Sequence, residues 1–267
     1  MSTRAKNKPP ELAPATISEF DGVRYLHLGT PWVQGAMRIR KSLSLELEYI
    51  QRMMAWMLLR PSDELTQGHA VQLGLGAGAI TRFCHSTLRM RTTAVELNPT
   101  VIEACRIWFH LPADSSRFHV LEMDAGTFVA DPLRAASVQV LCVDLYDHDA
   151  ASPVLDTEAF YADCHRLLAD GGAMSVNLFG RDASYARSAR RIAAAFGAGQ
   201  VFSLRPTKEG NTIVLALKHA PLPDRTTLAL RADAIESRFA LPARKWLRMI
   251  RPLADTPMAT ETDGPDA

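Results

Sequence analysis

The stretch Val71-Gln72-Leu73-Gly74-Leu75-Gly76-Ala77-Gly78 decides the fold. It is an apolar run that ends in a G-x-G-x-G pattern, and Ile80, Phe83 and Leu88 follow it at helical spacing. Glycine adopts positive φ without a steric penalty, and the start of a helix offers unpaired N–H groups to a ligand. The stretch therefore predicts a strand, a binding loop with Gly74, Gly76 and Gly78, and a helix. A purely structural tight turn is the alternative.

Strand and helix patterns alternate through residues 66–220. Apolar or β-branched runs predict seven strands, at 70–75, 92–97, 117–123, 138–144, 173–178, 200–205 and 212–217. Helix patterns begin after Gly78 and at Asn98-Pro99, and two more cover 157–168 and 184–196, the first of them stopped by Gly171-Gly172. Crossover helices between strands require a parallel sheet that is covered on both faces. We predict an α/β fold with an open, doubly wound, mostly parallel seven-stranded sheet, closed by an antiparallel hairpin at its edge.

The residues on either side of this unit carry other patterns. Turn signals at Asp21-Gly22 and Gly29-Thr30-Pro31 predict short antiparallel strands, and a stripe from Ile50 to Leu58 predicts one amphipathic helix. Residues 14–65 are therefore expected to form a small N-terminal β-domain with a helix. Residues 221–254 are expected to add a helical extension that Leu241-Pro242 interrupts, and 1–13 and 255–267 are expected to be disordered tails.

The composition excludes several classes of protein. Hydrophobic residues make up 47% and charged residues 22%, as in globular chains, and no apolar run approaches the roughly 18 residues of a membrane span. The 30 Lys and Arg residues nearly balance 29 acids, so no net field favours nucleic acid. The four cysteines lack disulfide or zinc spacing, which predicts buried thiols, no metal site and a cytoplasmic location.

Acidic residues follow the predicted strands where a ligand crevice would open. Glu96 ends the second strand, eighteen residues after Gly78, and its carboxylate can accept hydrogen bonds from the two hydroxyls of a ribose. The alternative is that Glu96 only caps the next helix. Asp124, before Ala125, ends the third strand and can accept from an adenine amine. Together with the glycine loop, these positions predict a nucleoside pocket.

The fourth strand ends in the acidic run Asp144-Leu145-Tyr146-Asp147-His148-Asp149. Carboxylates at such a position suit binding a cation or taking a proton from an amine. The alternative is that the run is a solvated loop. This alternative fits Asp144 least, because Asp144 directly ends the apolar strand. A metal site is not supported, because no histidine ligand pair has suitable spacing.

These motifs resemble those of the spermidine synthase (polyamine aminopropyltransferase) family. The resemblance spans Gln34 to Leu217 and is carried by the glycine loop, the acids at the strand ends, and the later runs 157–161 and 167–172. It implies a Rossmann-like, class I methyltransferase-type domain behind a small β-domain. It also implies a transferase that moves an aminopropyl group from decarboxylated AdoMet to a small cationic amine, without a prosthetic group. A homodimer is expected from the resemblance and from the apolar helix at 50–58.

The resemblance also implies roles for single residues. The nucleoside would be held by the loop glycines with Gln34, Glu96, Asp124 and Ala125. Asp144 would take the proton from the attacking amine, and Tyr146 and Asp147 would line the amine channel. The same comparison places Tyr49 and Gln51 in the substrate site.

The chain also departs from the family pattern. Ala77 stands where the family's glycine loop carries an acid, and Ile50-Gln51 replaces His-Glu after Tyr49. The family's D-S-S-D-P reads Asp144-Leu145-Tyr146-Asp147-His148 here. Two alternatives therefore stay open: a methyltransferase that uses AdoMet with an unknown acceptor, and a non-catalytic nucleoside-binding homologue.

Overall fold

The computed structural model describes residues 12–145, 155–179 and 183–253. Its N-terminal part is an antiparallel sheet of β1 (Ala15–Phe20), β2 (Val23–Leu28) and β3 (Gly35–Arg38), in that order. Asp21 and Gly22 between β1 and β2 both have positive φ, of 48° and 73°. Such a pair gives the tight hairpin turn that the sequence predicts.

The large sheet contains eight strands among the described residues. They are β4 (His69–Leu73), β5 (Arg91–Glu96), β6 (Phe118–Glu122), β7 (Val138–Val143), β8 (Leu168–Phe179), β9 (Val201–Ser203), β10 (Asn211–Leu217) and β11 (Arg251–Pro252). Their order across the sheet is β11-β9-β10-β8-β7-β4-β5-β6. The strands β4 to β8 pair with one another in parallel. The pairs β8–β10, β10–β9 and β9–β11 are antiparallel. The predicted doubly wound, mostly parallel α/β fold is confirmed.

Helices cover both faces of this sheet. They are α1 (Glu48–Met53), α2 (Ala79–Arg82), α3 (Pro99–Trp108), α4 (Ala125–Ala130), α5 (Glu158–Leu167), α6 (Ala183–Phe196), α7 (Arg225–Phe239) and α8 (Ala243–Met249). Neighbouring strand residues alternate between two buried clusters: Ala70 packs with α1, α7 and α8, and Val71 packs with α4, α5 and α6. A strand that is buried on both faces is mostly apolar, and β4 and β7 are so apart from His69, Gln72 and Gln139.

Local signals set the ends of the helices. Asn98 caps α3 by accepting from the Thr100 N–H at 3.0 Å, and Pro99 occupies the first helical position. Thr157 caps α5 in the same way, accepting from the Phe160 N–H at 3.1 Å. Both caps lie where the sequence predicts helix starts.

The segment 49–60 differs from its prediction as one amphipathic helix. It begins as α1 and continues as a 3-10 helix, Met54–Leu58. Every side chain from Met54 to Leu58 is buried, so the segment has no solvent-facing side there. It packs against the large sheet and the C-terminal helices, and these apolar side chains are not available to a second subunit.

Three further details of the large sheet correct the predictions. The hairpin of β9 and β10 is antiparallel, but β10 lies inside the sheet between β8 and β9, and the sheet has eight strands instead of the predicted seven because β11 covers the edge of β9. The short helix α4 was not predicted, and it supplies the crossover between β6 and β7. The glycines Gly171 and Gly172 lie within β8, because α5 ends at Leu167.

The C-terminal part forms two helices, with α7 ending before Leu241-Pro242 and α8 following it. The predicted domain boundaries at residues 13, 65, 220 and 254 remain predictions. No helix in the described part of the chain is long and apolar enough to cross a membrane.

Candidate functional site

A cavity of about 840 Å³ opens at the carboxyl ends of the parallel strands. Its walls come from the ends of β4 to β8, the start of β10, the loop between β2 and β3, and the start of α1. Doubly wound sheets bind ligands at this edge, where loops leave neighbouring strands in opposite directions. The N-terminal sheet and the large sheet thus share one site.

The glycine loop forms the floor of the cavity. Gly74 has φ of +82°, and a Cβ there would lie 2.2 Å from the carbonyl oxygen of Asp144, so only glycine fits. Gly76, with φ of +50°, also lines the cavity. Gly78 does not line it: this residue precedes α2 with φ of +66°, and its N–H donates to the Leu75 carbonyl at 2.8 Å.

Glu96 connects the glycine loop to the next helix. Its carboxylate accepts from the Leu75 N–H at 2.8 Å and from the Asn98 N–H at 2.9 Å. Burial raises its pKa, and these backbone N–H groups oppose the rise. A carboxylate has about four acceptor positions, so Glu96 keeps capacity for hydroxyl groups in the cavity. The carboxylate therefore braces the loop, and Glu96 lines the cavity at the same time.

Asp124 combines capping with a position at the cavity. Its Oδ1 accepts from the Thr127 N–H at 2.7 Å, which makes Asp124 the N-cap of α4. The cavity is lined by Asp124 and by the neighbouring Ala125. The second carboxylate oxygen has no bond among the described residues, and it is the atom available to an exocyclic amine.

Asp144 lies at the end of β7 in a chain of hydrogen bonds. Its Oδ1 accepts from Asn177 Nδ2 at 2.8 Å, and Asn177 Oδ1 accepts from Asn211 Nδ2 at 3.1 Å. Burial raises the pKa of Asp144, and the hydrogen bonds from Asn177 and Tyr49 oppose the rise. A carboxyl group with a raised pKa and fixed orientation suits proton transfer better than a solvated acid.

The candidate residues of the N-terminal part separate into two groups. Gln34 and Tyr49 line the cavity. Gln51 does not line it, and its side chain donates to the Leu45 carbonyl at 2.7 Å. Ala77 is also buried outside the lining, against the backbone of Gly35. The two positions where the chain departs from the acidic pattern are thus not walls of this cavity.

Two predicted residues, Tyr146 and Asp147, lie outside the described residues, as do His148 and Asp149. The strand that leads to them, β7, ends at Val143, and Asp144 follows it on the cavity wall. Their proposed roles stay predictions.

Six charged or amide residues of the cavity were not predicted as site residues: Glu46, Glu48, Asn98, Asn177, Glu209 and Asn211. Asn177 lies in β8, Asn211 begins β10, and Glu209 lies in the turn between β9 and β10. One signal was present: Asn177 is an amide in a mostly apolar stretch of the chain, and buried amides require partners.

Among the described residues, no three His, Cys, Asp or Glu side chains cluster so that they could hold a metal ion. The four cysteines are buried, as predicted, and burial raises the pKa of Cys84 and Cys105 to about 12. Such thiols carry no thiolate at neutral pH, which makes them poor nucleophiles.

Comparison with known proteins gives two kinds of match, while no family model matches the chain. A polyamine aminopropyltransferase of Neisseria meningitidis is 32% identical over 245 residues, which is 91% of this chain and 90% of that protein. Among solved structures, a probable spermidine synthase from Corynebacterium glutamicum superposes with a TM-score of 0.69 at 18% identity, covering 87% of this chain and 90% of that one. Human methyltransferase-like protein 13 in complex with SAH superposes with a TM-score of 0.61 at 23% identity, covering 79% of this chain and 97% of that one.

The structural neighbours show the fold that this chain shares with spermidine synthases and methyltransferases. The sequence match is more specific, because identity near one third extends over nine tenths of both proteins. The chain therefore belongs to the polyamine aminopropyltransferase family.

Proposed function

We propose that this protein transfers an aminopropyl group from decarboxylated AdoMet to a small cationic amine, in the cavity at the carboxyl ends of β4 to β8. The observation that carries the proposal is Asp144, a carboxyl group with a raised pKa that the Tyr49 and Asn177 side chains hold at the cavity wall. Family membership supports the same reaction.

The chemistry requires a neutral amine. An aliphatic amine with a pKa near 10.4 is almost fully protonated at neutral pH. Asp144 would accept the proton, and the nitrogen lone pair would then attack the methylene carbon next to the sulfonium. The carbon–sulfur bond breaks with its electrons going to sulfur, so methylthioadenosine leaves as a neutral thioether and needs no acid. Alignment of the two substrates supplies most of the remaining acceleration.

The donor would lie across the three strand ends. Glu96 would accept from the ribose hydroxyls, and Asp124 would accept from the adenine amine through its free oxygen. The backbone of Gly74 and Gly76 would approach the nucleoside closely, which side chains at these positions would prevent. Gln34, Ala125 and Tyr49 would complete the walls.

The test is incubation of the purified protein with decarboxylated AdoMet and a four-carbon diamine. We expect methylthioadenosine and the elongated amine in equal amounts, and an Asp144→Asn variant that is slower by about 10²- to 10⁴-fold. Absence of both products, or an Asp144→Asn variant with unchanged turnover, would overturn the proposal. Incubation with AdoMet in parallel distinguishes methyl transfer, which would release S-adenosylhomocysteine instead.

We also propose that the protein is a cytoplasmic homodimer that binds neither nucleic acid nor membranes. Family resemblance supports the dimer, whereas the apolar segment 50–58 no longer does, because it is buried within the chain. Sedimentation at micromolar concentration should give twice the chain mass of 29.4 kDa.

A further inference from the structure

Acidic side chains in the cavity differ sharply in whether they already have partners. Six carboxylates line the cavity as far as the structure describes it: Glu46, Glu48, Glu96, Asp124, Asp144 and Glu209. The strand-end acids Glu96, Asp124 and Asp144 have the hydrogen bonds given above. A cationic ligand gains most from a carboxylate that has no positive partner of its own.

The two acids near α1 are already neutralised. Glu46 pairs with Arg38, with contacts of 2.5 and 3.0 Å. Glu48 accepts from Arg52 at 2.8 Å and from Lys245 at 2.7 Å, and the Lys245 hydrogen bond is the main cause of its lowered pKa. Each of these acids therefore already has a positive partner, which offsets its charge toward a further cation.

Glu209 is the exception. Within the described part of the chain its carboxylate has neither a hydrogen bond nor an ion pair, although its side chain lines the cavity. It lies between Lys208 and Gly210, in the turn that joins β9 to β10. An exposed carboxylate at the rim of a cavity costs little to keep charged, and it attracts cations to the opening.

The turn that carries Glu209 is firmly held. The Thr207 N–H donates to the Asn211 carbonyl at 2.8 Å, and the Asn211 N–H donates to the Thr207 hydroxyl at 3.2 Å. Gly210 has φ of +102°, which side chains rarely allow. Glu209 is thus presented to the cavity from a turn that backbone hydrogen bonds close.

The same turn is connected to the proposed base. Asn211, two residues after Glu209, donates to Asn177, and Asn177 donates to Asp144. The cavity therefore has a carboxyl group with a raised pKa on one wall and an unpartnered carboxylate on the neighbouring turn. An acceptor with one amine at each end of an aliphatic chain matches this arrangement.

We propose that Glu209 binds the distal ammonium of the acceptor amine while the other amine reacts beside Asp144, and that this carboxylate makes the enzyme prefer diamines to monoamines. The inference rests on the proposed aminopropyl transfer. It identifies an acid that stands in for the two acidic positions occupied by Ala77 and Gln51, neither of which lines the cavity.

The test compares a four-carbon diamine with a four-carbon monoamine, which lacks the distal ammonium. Glu209→Gln keeps the shape of the side chain and removes its charge. We expect the ratio of kcat/KM for diamine over monoamine to fall about tenfold, through a higher KM for the diamine, because a charge-assisted hydrogen bond is lost. The KM for decarboxylated AdoMet should stay within twofold of the parent value.

The matched control is Glu122→Gln. Glu122 is an exposed acid on β6 that does not line the cavity, and its variant should keep the diamine preference. An unchanged preference in Glu209→Gln, or an equal loss in both variants, would overturn the assignment. If the parent protein transfers no aminopropyl group, the role of Glu209 can still be tested by measuring diamine binding in the presence of methylthioadenosine. Calorimetry should then show about tenfold weaker binding to Glu209→Gln, and equal binding would overturn the assignment.

Discussion

Asp144 experiences two opposing influences on one carboxyl group. Burial raises its pKa, and the hydrogen bonds from Asn177 and Tyr49 lower it by stabilising the ionised form. Since the base must be ionised to accept a proton, activity is lost as the pH falls through this pKa. Asn177→Ala removes a donor to the charged form, so the acid limb of the kcat profile should move to higher pH.

Profiles of kcat against pH for the parent and the variant measure this shift. Ser175→Ala is the control, because Ser175 lies on the same strand, is buried, and does not line the cavity. An acid limb that stays in place, or moves to lower pH, in Asn177→Ala would contradict the role assigned to this hydrogen bond.

Gly74 illustrates a backbone requirement at a single residue. Its φ of +82° and a Cβ position 2.2 Å from the Asp144 carbonyl oxygen exclude any side chain. Gly74→Ala should lower the free energy of unfolding by about 3 kcal/mol and reduce turnover, because the end of β7 must shift. Denaturant unfolding and steady-state rates measure both effects.

Gly171→Ala separates the two contributions to this loss. Gly171 has a similar φ of +73° but no atom within 4 Å of its Cβ position. Only the conformational cost remains there, about 1 kcal/mol. Equal losses in the two variants would show that contact with Asp144 plays no part.

The residues of the site were predictable to different degrees. Glu96 ends β5 and Asp124 follows β6 by two residues, so chain order alone indicated that both lie at the edge of the sheet that holds the glycine loop. Asn177 reaches Asp144, and Asn211 reaches Asn177, only because β8 pairs with both β7 and β10, and such register is set by the folded sheet. The role predicted for Gln51 stays a prediction, and its side chain donates to the backbone carbonyl of Leu45.

At the scale of elements, the segment 48–58 is a structural part of the large sheet's core. Its side chains pack with α7 and α8 on one face of the sheet. Met57 is fully buried, so Met57→Ala should lower the free energy of unfolding by about 2–5 kcal/mol. Denaturant unfolding measures this loss, and sedimentation should show the same assembly state as the parent.

Leu43→Ala provides the control for this segment. Leu43 is 42% exposed, so its truncation should cost less than about 1 kcal/mol. If Met57→Ala left the free energy of unfolding unchanged but altered the assembly state, the segment would instead be a subunit interface.

Elements were predictable where local signals are strong. Asn98-Pro99 and Thr157 mark helix starts through caps that need no tertiary contact. The segment after Met53 tightens into a 3-10 helix, and its burial on all sides removes the polar face that the periodicity suggested. The helix α4 was not predicted because its six residues, which include a glycine, are too few to show a helical spacing of apolar residues.

At the scale of the whole molecule, the two ends of the parallel strands do different work. The carboxyl ends hold the cavity, whereas the amino end of β4 carries His69 in a structural cluster. The His69 ring contacts the Arg91 guanidinium through Nδ1 at 2.9 Å and the Thr93 hydroxyl through Nε2 at 2.9 Å. Since Arg91 can only donate, the ring is neutral with its proton on Nε2.

Because His69 lies at the opposite end of the strands from the cavity, we expect its titration to change the stability of the protein without altering the cavity. Burial, and then the charge of Arg91, lowers the pKa of His69 to about 4 from about 6.5. Between these values the unfolded chain binds a proton that the folded chain does not, so this histidine makes the protein less stable as the pH falls from about 6.5 to about 4. The contribution amounts to roughly 2–3 kcal/mol.

His69→Gln removes the titrating group and keeps a polar side chain in contact with Thr93. The difference in free energy of unfolding between parent and variant should therefore change by roughly 2–3 kcal/mol between pH 7 and pH 4, in favour of the variant at low pH. Denaturant unfolding at several pH values measures it. A difference that stays constant across this range would show that His69 titrates alike in the folded and unfolded chains. Turnover at pH 7.5 should match that of the parent, because the cluster and the cavity lie at opposite ends of the strands.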